Sequence, residues 1–279
     1  MELLKEIEKI HNNIKIKKYD YAIEKCNKLI RKFPSNAYLY NLGGLALQQF
    51  QNITRSVDYF QKAIQLEPKN IAAKNNLANS LKILGKFDLA EKLYKEIIDF
   101  NPRYIKALNN YANLKQQINN YQEAILLYEK ALQTEPNNIT VLMSLASAHQ
   151  GIGNFNKAKE VISKILKINP KIMSAHKLLS SIVKYKKGSD NFDKMINLTN
   201  IKDLEYSQKI DLYFALAKAY EDVEDYELSY KFLKDANEIK RNNINYNLEK
   251  DEELFKSIKK SFKNVDFRKH LKDANDKQV

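Results

Sequence analysis

The prolines of this chain are spaced at one constant interval. There are five prolines in 279 residues, and each lies 34 residues after the one before it. They are Pro34, Pro68, Pro102, Pro136 and Pro170. Because proline cannot continue the interior of an α-helix, a regular series of prolines marks the same structural boundary several times. The interval therefore predicts a protein built from repeated units.

Other positions keep the same interval when the chain is divided into equal blocks. A small residue lies twelve places before each proline, and a large apolar residue lies three places before that small residue. A second small position recurs in every block except the first, where Ile10 takes its place. The blocks are 3–36, 37–70, 71–104, 105–138 and 139–172. The small residues are Ala22, Ser56, Ala90, Ala124 and Ala158, and the large apolar residues are Tyr19, Ile53, Phe87, Tyr121 and Phe155. The second small position holds Gly44, Ala78, Ala112 and Ala146.

Each block contains two stretches with apolar residues at helical spacing. In the third block these are AAKNNLANSLKIL and DLAEKLYKEIIDF, separated by a turn at Gly85 and Lys86. Two closely packed antiparallel helices need small residues where they cross, which explains the recurring alanines and glycines. One helical hairpin cannot bury its own apolar face, so neighbouring hairpins must stack. We therefore predict an all-α fold, an α-solenoid of helical hairpins.

Composition and charge restrict the partners and the cellular location. Only six glycines occur, which argues against a β-sandwich or barrel, and the one cysteine, Cys26, fits a reducing compartment. The start of the chain, MELLKEIEKIHNN, lacks the apolar core of a secretory signal, and no apolar run is long enough to span a membrane. We expect a cytoplasmic protein. The net charge of +13 comes from lysines scattered among acidic residues, so we do not expect a nucleic-acid partner.

The regular interval ends after Pro170. We interpret residues 173–209 as a degenerate unit, 210–243 as a further unit of the same kind, 244–267 as a terminal amphipathic helix and 268–279 as a frayed tail.

The 34-residue pattern resembles the tetratricopeptide repeat (TPR). The small positions of that family correspond to the two recurring small positions described above and to Ala63 and Ala131. Its aromatic position corresponds to Phe60, Tyr94 and Tyr128, and the proline that closes its repeat corresponds to the five regularly spaced prolines. The resemblance implies a right-handed superhelix in which the first helix of each hairpin lines a concave inner wall.

Amide side chains cluster where the resemblance places that wall. An amide carries donors and acceptors that match the N–H and C=O groups of an extended peptide. We therefore predict a groove that binds a protein or peptide; the alternative is a wall of solvated asparagines. Lys106 and Asn110 supply only half of the carboxylate clamp that some TPR proteins use, and Val141 stands where its next asparagine is required. The predicted groove residues are Asn41, Asn75, Asn76, Asn79, Asn109, Asn110, Asn113, Gln116 and Gln150.

No motif for catalysis or for phosphate binding is present in the sequence. The glycines form no phosphate-binding loop, and the four histidines are far apart in the sequence and lack metal-site spacing. We expect no metal, no cofactor and no catalytic residue.

The C-terminal third carries a second resemblance. It resembles the segment before the catalytic domain in bacterial TPR-containing sulfotransferases, which are similar to protein-tyrosine sulfotransferases. The resemblance lies in the stretch LYFALAKAYEDVEDYELSYKFLKDANEIKR and in the residues Tyr246, Asp251, Phe255, Ile258 and Phe262 that follow it. The likeness covers residues of about 173–267, and no donor-binding or catalytic position of that family is matched. It implies an alternative function: an arm that holds the acceptor for a sulfotransferase catalytic domain, in cis or in trans, which uses phosphoadenosine phosphosulfate.

Overall fold

A computed structural model describes residues 2–243 and 248–263. Within these two ranges the chain forms fifteen α-helices and no β-strand, which confirms the predicted all-α fold. The helices are α1 (Glu2–Lys15), α2 (Tyr19–Lys32), α3 (Ala37–Gln49), α4 (Ile53–Leu66), α5 (Ile71–Ile83), α6 (Phe87–Phe100), α7 (Ile105–Gln117), α8 (Tyr121–Thr134), α9 (Ile139–Gly151), α10 (Phe155–Ile168), α11 (Met173–Ser180), α12 (Asp190–Leu198), α13 (Tyr206–Asp222), α14 (Tyr226–Asn243) and α15 (Leu248–Phe262).

The described residues divide into two compact units between Val183 and Lys184. Unit 1 contains α1 to α11, and unit 2 contains α12 to α15. The division falls inside the block 173–209 that the sequence analysis treats as one degenerate unit. Of the predicted terminal helix, residues 244–247 and 264–267 lie outside the described residues, as does the predicted tail 268–279.

Each of the five regular blocks contains one helical hairpin. We call its two members the first helix and the second helix. The first helices α3, α5, α7 and α9 have 13 residues each, and the second helices α4, α6, α8 and α10 have 14 each. The proline of each block lies two residues beyond the last residue of its second helix, where its missing N–H group breaks no helical hydrogen bond.

Asparagine caps many of these helices. The side-chain oxygens of Asn36, Asn70 and Asn138 accept a hydrogen bond from the backbone N–H three residues later, at the start of α3, α5 and α9. Asn52, Asn120 and Asn154 cap the second helices α4, α8 and α10 in the same way. An oxygen at this position satisfies one of the N–H groups that a helix start leaves unpaired. Part of the high asparagine content therefore serves helix starts.

The turn inside each hairpin has a residue in the left-handed conformation, and this position also recurs every 34 residues. Gly85 and Gly153 occupy it in two blocks, with φ of 73° and 74°. The other three blocks place a residue with a side chain there: Lys17, Gln51 and Asn119, with φ between 62° and 66°. In the second block the N–H of Asn52 bonds the carbonyl of Leu47 at 2.9 Å and the N–H of Gln51 bonds that of Gln48 at 3.1 Å, the pattern of a Schellman motif. Each first helix of the five hairpins thus ends in the same way, whether or not glycine is available.

The core of unit 1 lies between the two helices of each hairpin and between each second helix and the first helix of the next hairpin. Phe60, Tyr94 and Tyr128 are fully buried. The ring of Tyr94 on α6 stacks on that of Tyr111 on α7, with ring centres 5.9 Å apart. Small residues also let the two helices of one hairpin approach each other: a Cβ atom added at Gly44 on α3 would lie 2.6 Å from the ring of Phe60 on α4. The aromatic position and the small position therefore form one interlocking contact.

Unit 2 has an aromatic core of its own. The ring of Phe192 on α12 meets that of Tyr220 on α13 edge-on, with ring centres 5.0 Å apart, and Tyr220 stacks on Phe232 of α14 at 5.5 Å. Tyr185 is also buried, and its backbone N–H donates to a carboxylate oxygen of Asp222 at 3.1 Å. These contacts hold α12, α13 and α14 together.

We expect Gln51→Gly to stabilise the protein. A side chain in the left-handed conformation costs roughly 1–2 kcal/mol, whereas glycine adopts it freely but loses more chain entropy on folding. The net effect should be a gain of about 0.5–1 kcal/mol in the free energy of unfolding, measured by urea unfolding followed by circular dichroism. Gly85→Ala, made at the equivalent position, should lower it by a similar amount. A loss of stability in Gln51→Gly would contradict this explanation.

Candidate functional site: the first helices of unit 1

The nine predicted groove residues all lie on first helices of unit 1, and these helices neighbour one another. Contacts join α3 to α5, α5 to α7 and α7 to α9, whereas each second helix packs mainly on the first helices of its own and the next hairpin. Side chains of successive hairpins can therefore meet on the first-helix side. Asn41 lies on α3, Asn75, Asn76 and Asn79 on α5, Asn109, Asn110, Asn113 and Gln116 on α7, and Gln150 on α9.

Four of these amides form a continuous hydrogen-bonded series, which we call the amide ladder: Asn41, Asn75, Asn76 and Asn110. Asn110 Nδ2 donates to Asn75 Oδ1 at 3.1 Å, and Asn76 Nδ2 donates to Asn41 Oδ1 at 2.9 Å. A longer bond of 3.5 Å from Asn75 Nδ2 to Asn76 Oδ1 links the two pairs. Asn41 and Asn75 are buried away from water, so their amide groups need hydrogen-bond partners within the protein, and the ladder supplies them. It joins three successive first helices.

The ladder follows a rule of sequence and ends where the rule breaks. In both strong bonds the donor lies 35 residues after the acceptor, because the acceptors are equivalent positions and the donors follow one residue later in the next block. The third acceptor in this series is Asn109, and Ser144 takes the place of its donor. Asn109 Oδ1 is buried and has no hydrogen-bond partner among the described residues. A serine side chain is too short to replace the asparagine at this point.

Glutamine and serine side chains make a second set of bonds between successive repeats. Gln48 donates to Ser80 at 2.8 Å, Gln116 donates to Ser147 at 3.2 Å, and Gln150 donates to Ser181 at 2.9 Å. The sequence interpretation assigns Gln116 and Gln150 to ligand contacts. The structure shows that both also link their own helix to the next repeat.

Tyr128 connects this set to the core. Its hydroxyl donates to Asn113 Oδ1 at 2.6 Å and lies 3.1 Å from Gln116 Oε1. Burial raises the pKa of Tyr128 to about 12, so the hydroxyl remains a donor at neutral pH. With these bonds, the predicted groove residues other than Asn79 and Asn109 have a hydrogen-bond partner within the described chain.

A polar cleft opens beside these amides between α7 and α9. Its volume is about 620 Å³, and both Asn113 and Gln116 line it. Gln117 and Asn119 are exposed at its edge. The remaining lining residues are Tyr121, Met143, Ser144 and Ser147. The cleft offers mainly amide and hydroxyl groups.

An ion cluster around the buried Lys115 was not found by the sequence analysis. Lys115 Nζ lies 2.9 Å from each carboxylate oxygen of Glu91 and 3.0 Å from Glu123 Oε2, although Lys115 is only 7% exposed. The hydroxyl of Tyr111 donates to Glu91 at 2.9 Å. A sequence signal exists: Lys115 occupies the position of Leu47 and Leu81 in the preceding blocks. A charge in a core position of a repeat requires partners, which here come from α6 and α8.

The cluster changes the pKa of its members. Although burial by itself favours the neutral carboxyl of Glu91, hydrogen bonds from Lys95, Lys115 and Tyr111 lower the pKa from 4.5 to about 2. Burial opposes the charge of Lys115, but its bonds to Glu91 and Glu123 raise its pKa. Both groups are therefore charged at neutral pH and tie α6 and α8 to α7.

Neither a metal site nor a membrane span is found in the part of the chain that the structure describes. No group of three or more histidine, cysteine, aspartate or glutamate residues is arranged to hold a metal ion there. No helix in residues 2–243 or 248–263 is both long and apolar enough to cross a membrane. Cys26 is buried, and burial raises the pKa of its thiol to about 12.

Comparison with protein families identifies the repeats. Models described as tetratricopeptide repeat match residues 37–70, 69–134, 118–182 and 210–243, more than half of the chain. Residues 1–36, 183–209 and those after 243 lie outside the matched ranges. No curated protein matches the chain.

Solved structures with the same fold are numerous. A tetratricopeptide repeat protein from Parabacteroides merdae is 19% identical, with 90% of this chain and 96% of that chain covered and a TM-score of 0.61. PilF of Pseudomonas aeruginosa is 20% identical, with 71% of this chain and 88% of that chain covered and a TM-score of 0.56. At these identities the comparison establishes the fold alone.

We expect stability to fall with acid through Glu91. A carboxylate whose pKa is lower in the folded state than in the unfolded state stabilises the fold above the unfolded value, and the contribution is lost as pH falls from about 4.5 towards 2. Glu91→Gln should remove part of this dependence and lower the melting temperature at pH 7. Glu24→Gln, which removes an exposed pair with Lys28, serves as the control and should change little. Equal effects of the two variants would contradict a special role for Glu91.

We expect the amide ladder to stabilise the repeats. Asn76→Ala leaves Asn41 Oδ1 buried without its donor and should lower the free energy of unfolding by about 1 kcal/mol. Asn79→Ala, on the same helix, removes an amide that has no hydrogen bond to a described residue and should have a smaller effect. Urea unfolding of both variants measures the difference, and equal stability would argue against the ladder.

Proposed function

The chain belongs to the tetratricopeptide repeat family, and we propose that it is a non-catalytic scaffold that binds a protein or peptide in extended form along the first helices of unit 1. The observation that carries this proposal is the run of amides over the neighbouring helices α3, α5, α7 and α9, beside an open polar cleft.

The internal bonds leave hydrogen-bonding capacity for a ligand. An amide has two N–H groups and an oxygen with two lone pairs, and each strong ladder bond uses one N–H group of the donor. Asn76 and Asn110 are only half-buried. Because the ladder fixes their orientation, little side-chain entropy is lost when they bind a ligand. The amides therefore act as pre-ordered donors and acceptors.

The spacing of the helices suits an extended peptide. Packed helices lie about 8–10 Å apart, and an extended chain advances about 3.3 Å per residue. A peptide that crosses the first helices therefore presents an equivalent backbone group to each successive helix at about every third residue. This arrangement favours recognition of the backbone, and the cleft lined by Asn113 and Gln116 adds a pocket for one polar side chain.

The proposal is tested on two amides outside the ladder. Peptides are selected from a random library on the full chain, and the affinity of a selected peptide is measured by fluorescence anisotropy for Asn79→Ala and Gln117→Ala. Loss of one hydrogen bond, worth about 0.5–1.5 kcal/mol, should weaken binding by roughly 2- to 10-fold in each variant.

Gln61→Ala is the matched control, because Gln61 is an exposed amide on a second helix. It should bind the selected peptide as tightly as the unchanged chain. A selection that yields no binding peptide, or a peptide that binds both first-helix variants with unchanged affinity, would contradict the proposal.

The sulfotransferase interpretation stays a prediction, since the matching family models describe only the repeats. It concerns the C-terminal third, whereas the peptide proposal concerns unit 1. Calorimetric titration with the phosphoadenosine product nucleotide separates the two: binding would indicate a donor site in this chain, and absence of binding would leave at most a non-catalytic arm.

A further inference from the structure

An aromatic and apolar stripe lies uncovered on α14 of unit 2. Tyr226, Tyr230 and Leu233 follow one another at spacings of four and three residues, which places them on one helix face. Their exposed fractions are 66%, 68% and 42%. We call these three residues the α14 stripe. A different side of the helix carries the buried Ala236 and Phe232, whose ring packs on Tyr213 of α13.

In the regular repeats, the face of the second helix that corresponds to the α14 stripe is covered by another helix. Aligned with the block 71–104, Leu233 of the block 210–243 corresponds to Tyr94, and Tyr230 corresponds to Glu91. Tyr94 is fully buried against α7, and Glu91 bonds to Lys115 of α7. In unit 1 this face therefore binds an α-helix, the first helix of the next repeat. The α14 stripe lies on the corresponding face of α14.

A helix with a matching apolar face lies at the end of the described chain. Leu254, Phe255, Ile258 and Phe262 fall on one side of α15 and are between 42% and 63% exposed. None of the residues of α15 is buried. Within one copy of the chain, the α14 stripe and the side chains of Leu254, Phe255 and Ile258 are therefore exposed at the same time.

The charges of the two helices are complementary in the antiparallel direction. The start of α14 is acidic, with Glu224, Asp225 and Glu227, and its end carries Lys240 and Arg241. The helix that follows in the chain has the same order: α15 has acidic residues in its first half and only lysines as charged residues after Glu253. When two such helices pack antiparallel, each acidic end meets a basic end. The parallel orientation would bring like charges together.

We propose that α15 of a second copy of this chain docks antiparallel on the α14 stripe, and that two copies exchange their α15 helices reciprocally. An exchange of one element between two identical chains buries both stripes and forms a closed twofold dimer. The proposal concerns unit 2 and does not depend on peptide binding by unit 1.

The test uses disulfide cross-linking between differently labelled chains. Chains carrying Leu233→Cys are mixed with chains carrying Ile258→Cys and oxidised, and linked dimers are separated by mass. Cys26 is common to both and does not interfere, since it is buried and its thiol pKa is raised to about 12. Lys231→Cys is the matched control on α14: Lys231 is exposed but lies off the stripe. We expect several-fold more linked heterodimer from the mixture with Leu233→Cys than from the mixture with Lys231→Cys.

Three results of the cross-linking would overturn the proposal. One is equal cross-linking in the two mixtures, and another is no linked dimer in either. The third is closure of the double variant Leu233→Cys/Ile258→Cys into a monomer with an internal disulfide, which would show that α15 covers the stripe of its own chain. Light scattering of the unaltered chain provides an independent check: its mass should rise towards twice 32.6 kDa with concentration. A monomer mass at every concentration would also contradict the exchange.

Discussion

The structure of unit 1 depends on the inability of one helical hairpin to bury its own apolar face. The second helices α4, α6 and α8 each present an aromatic residue, Phe60, Tyr94 or Tyr128. It is fully buried because the first helices of its own and of the next hairpin both pack on the second helix. This requirement fixes the repeat length, since the same contact must form at every step. It explains the constant lengths of 13 and 14 residues for the central first and second helices, and it brings successive first helices into contact.

Contact between successive first helices buries polar side chains, and the amides provide the hydrogen-bond partners that these side chains need. Side chains between neighbouring first helices lose water, and a buried polar group needs a partner. The Asn41–Asn76 and Asn75–Asn110 pairs supply such partners between first helices. The cluster around Lys115 supplies charged partners between α7 and the second helices α6 and α8. The same side chains that face a ligand in our proposal thus also hold the repeats in register. Binding and stability are coupled on this face, except at residues outside these networks such as Asn79 and Gln117.

Much of the fold follows from the sequence, but the pairing of the amides does not. The proline interval and the small positions predict the hairpins and their order, because both reflect local helix geometry. The left-handed turns at Lys17 and Gln51 give no sequence signal, since neither residue favours that conformation. The bond from Asn76 to Asn41 joins residues 35 apart and depends on how two hairpins pack, which the pattern of one repeat does not contain. Lys115 could have been noticed as a charge at a leucine position, but its partners on α6 and α8 are visible only in three dimensions.

The central claim is that a peptide binds through amides on the first-helix side. The most direct measurement is a titration of the labelled chain with a selected peptide, followed through the side-chain amide signals of asparagine and glutamine in NMR spectra. The account predicts that the signals of Asn79 and Gln117 shift, while those of the helix-capping residues Asn36, Asn70 and Asn138 stay in place. Shifts confined to amides outside the first helices, or equal shifts of the capping asparagines, would contradict it.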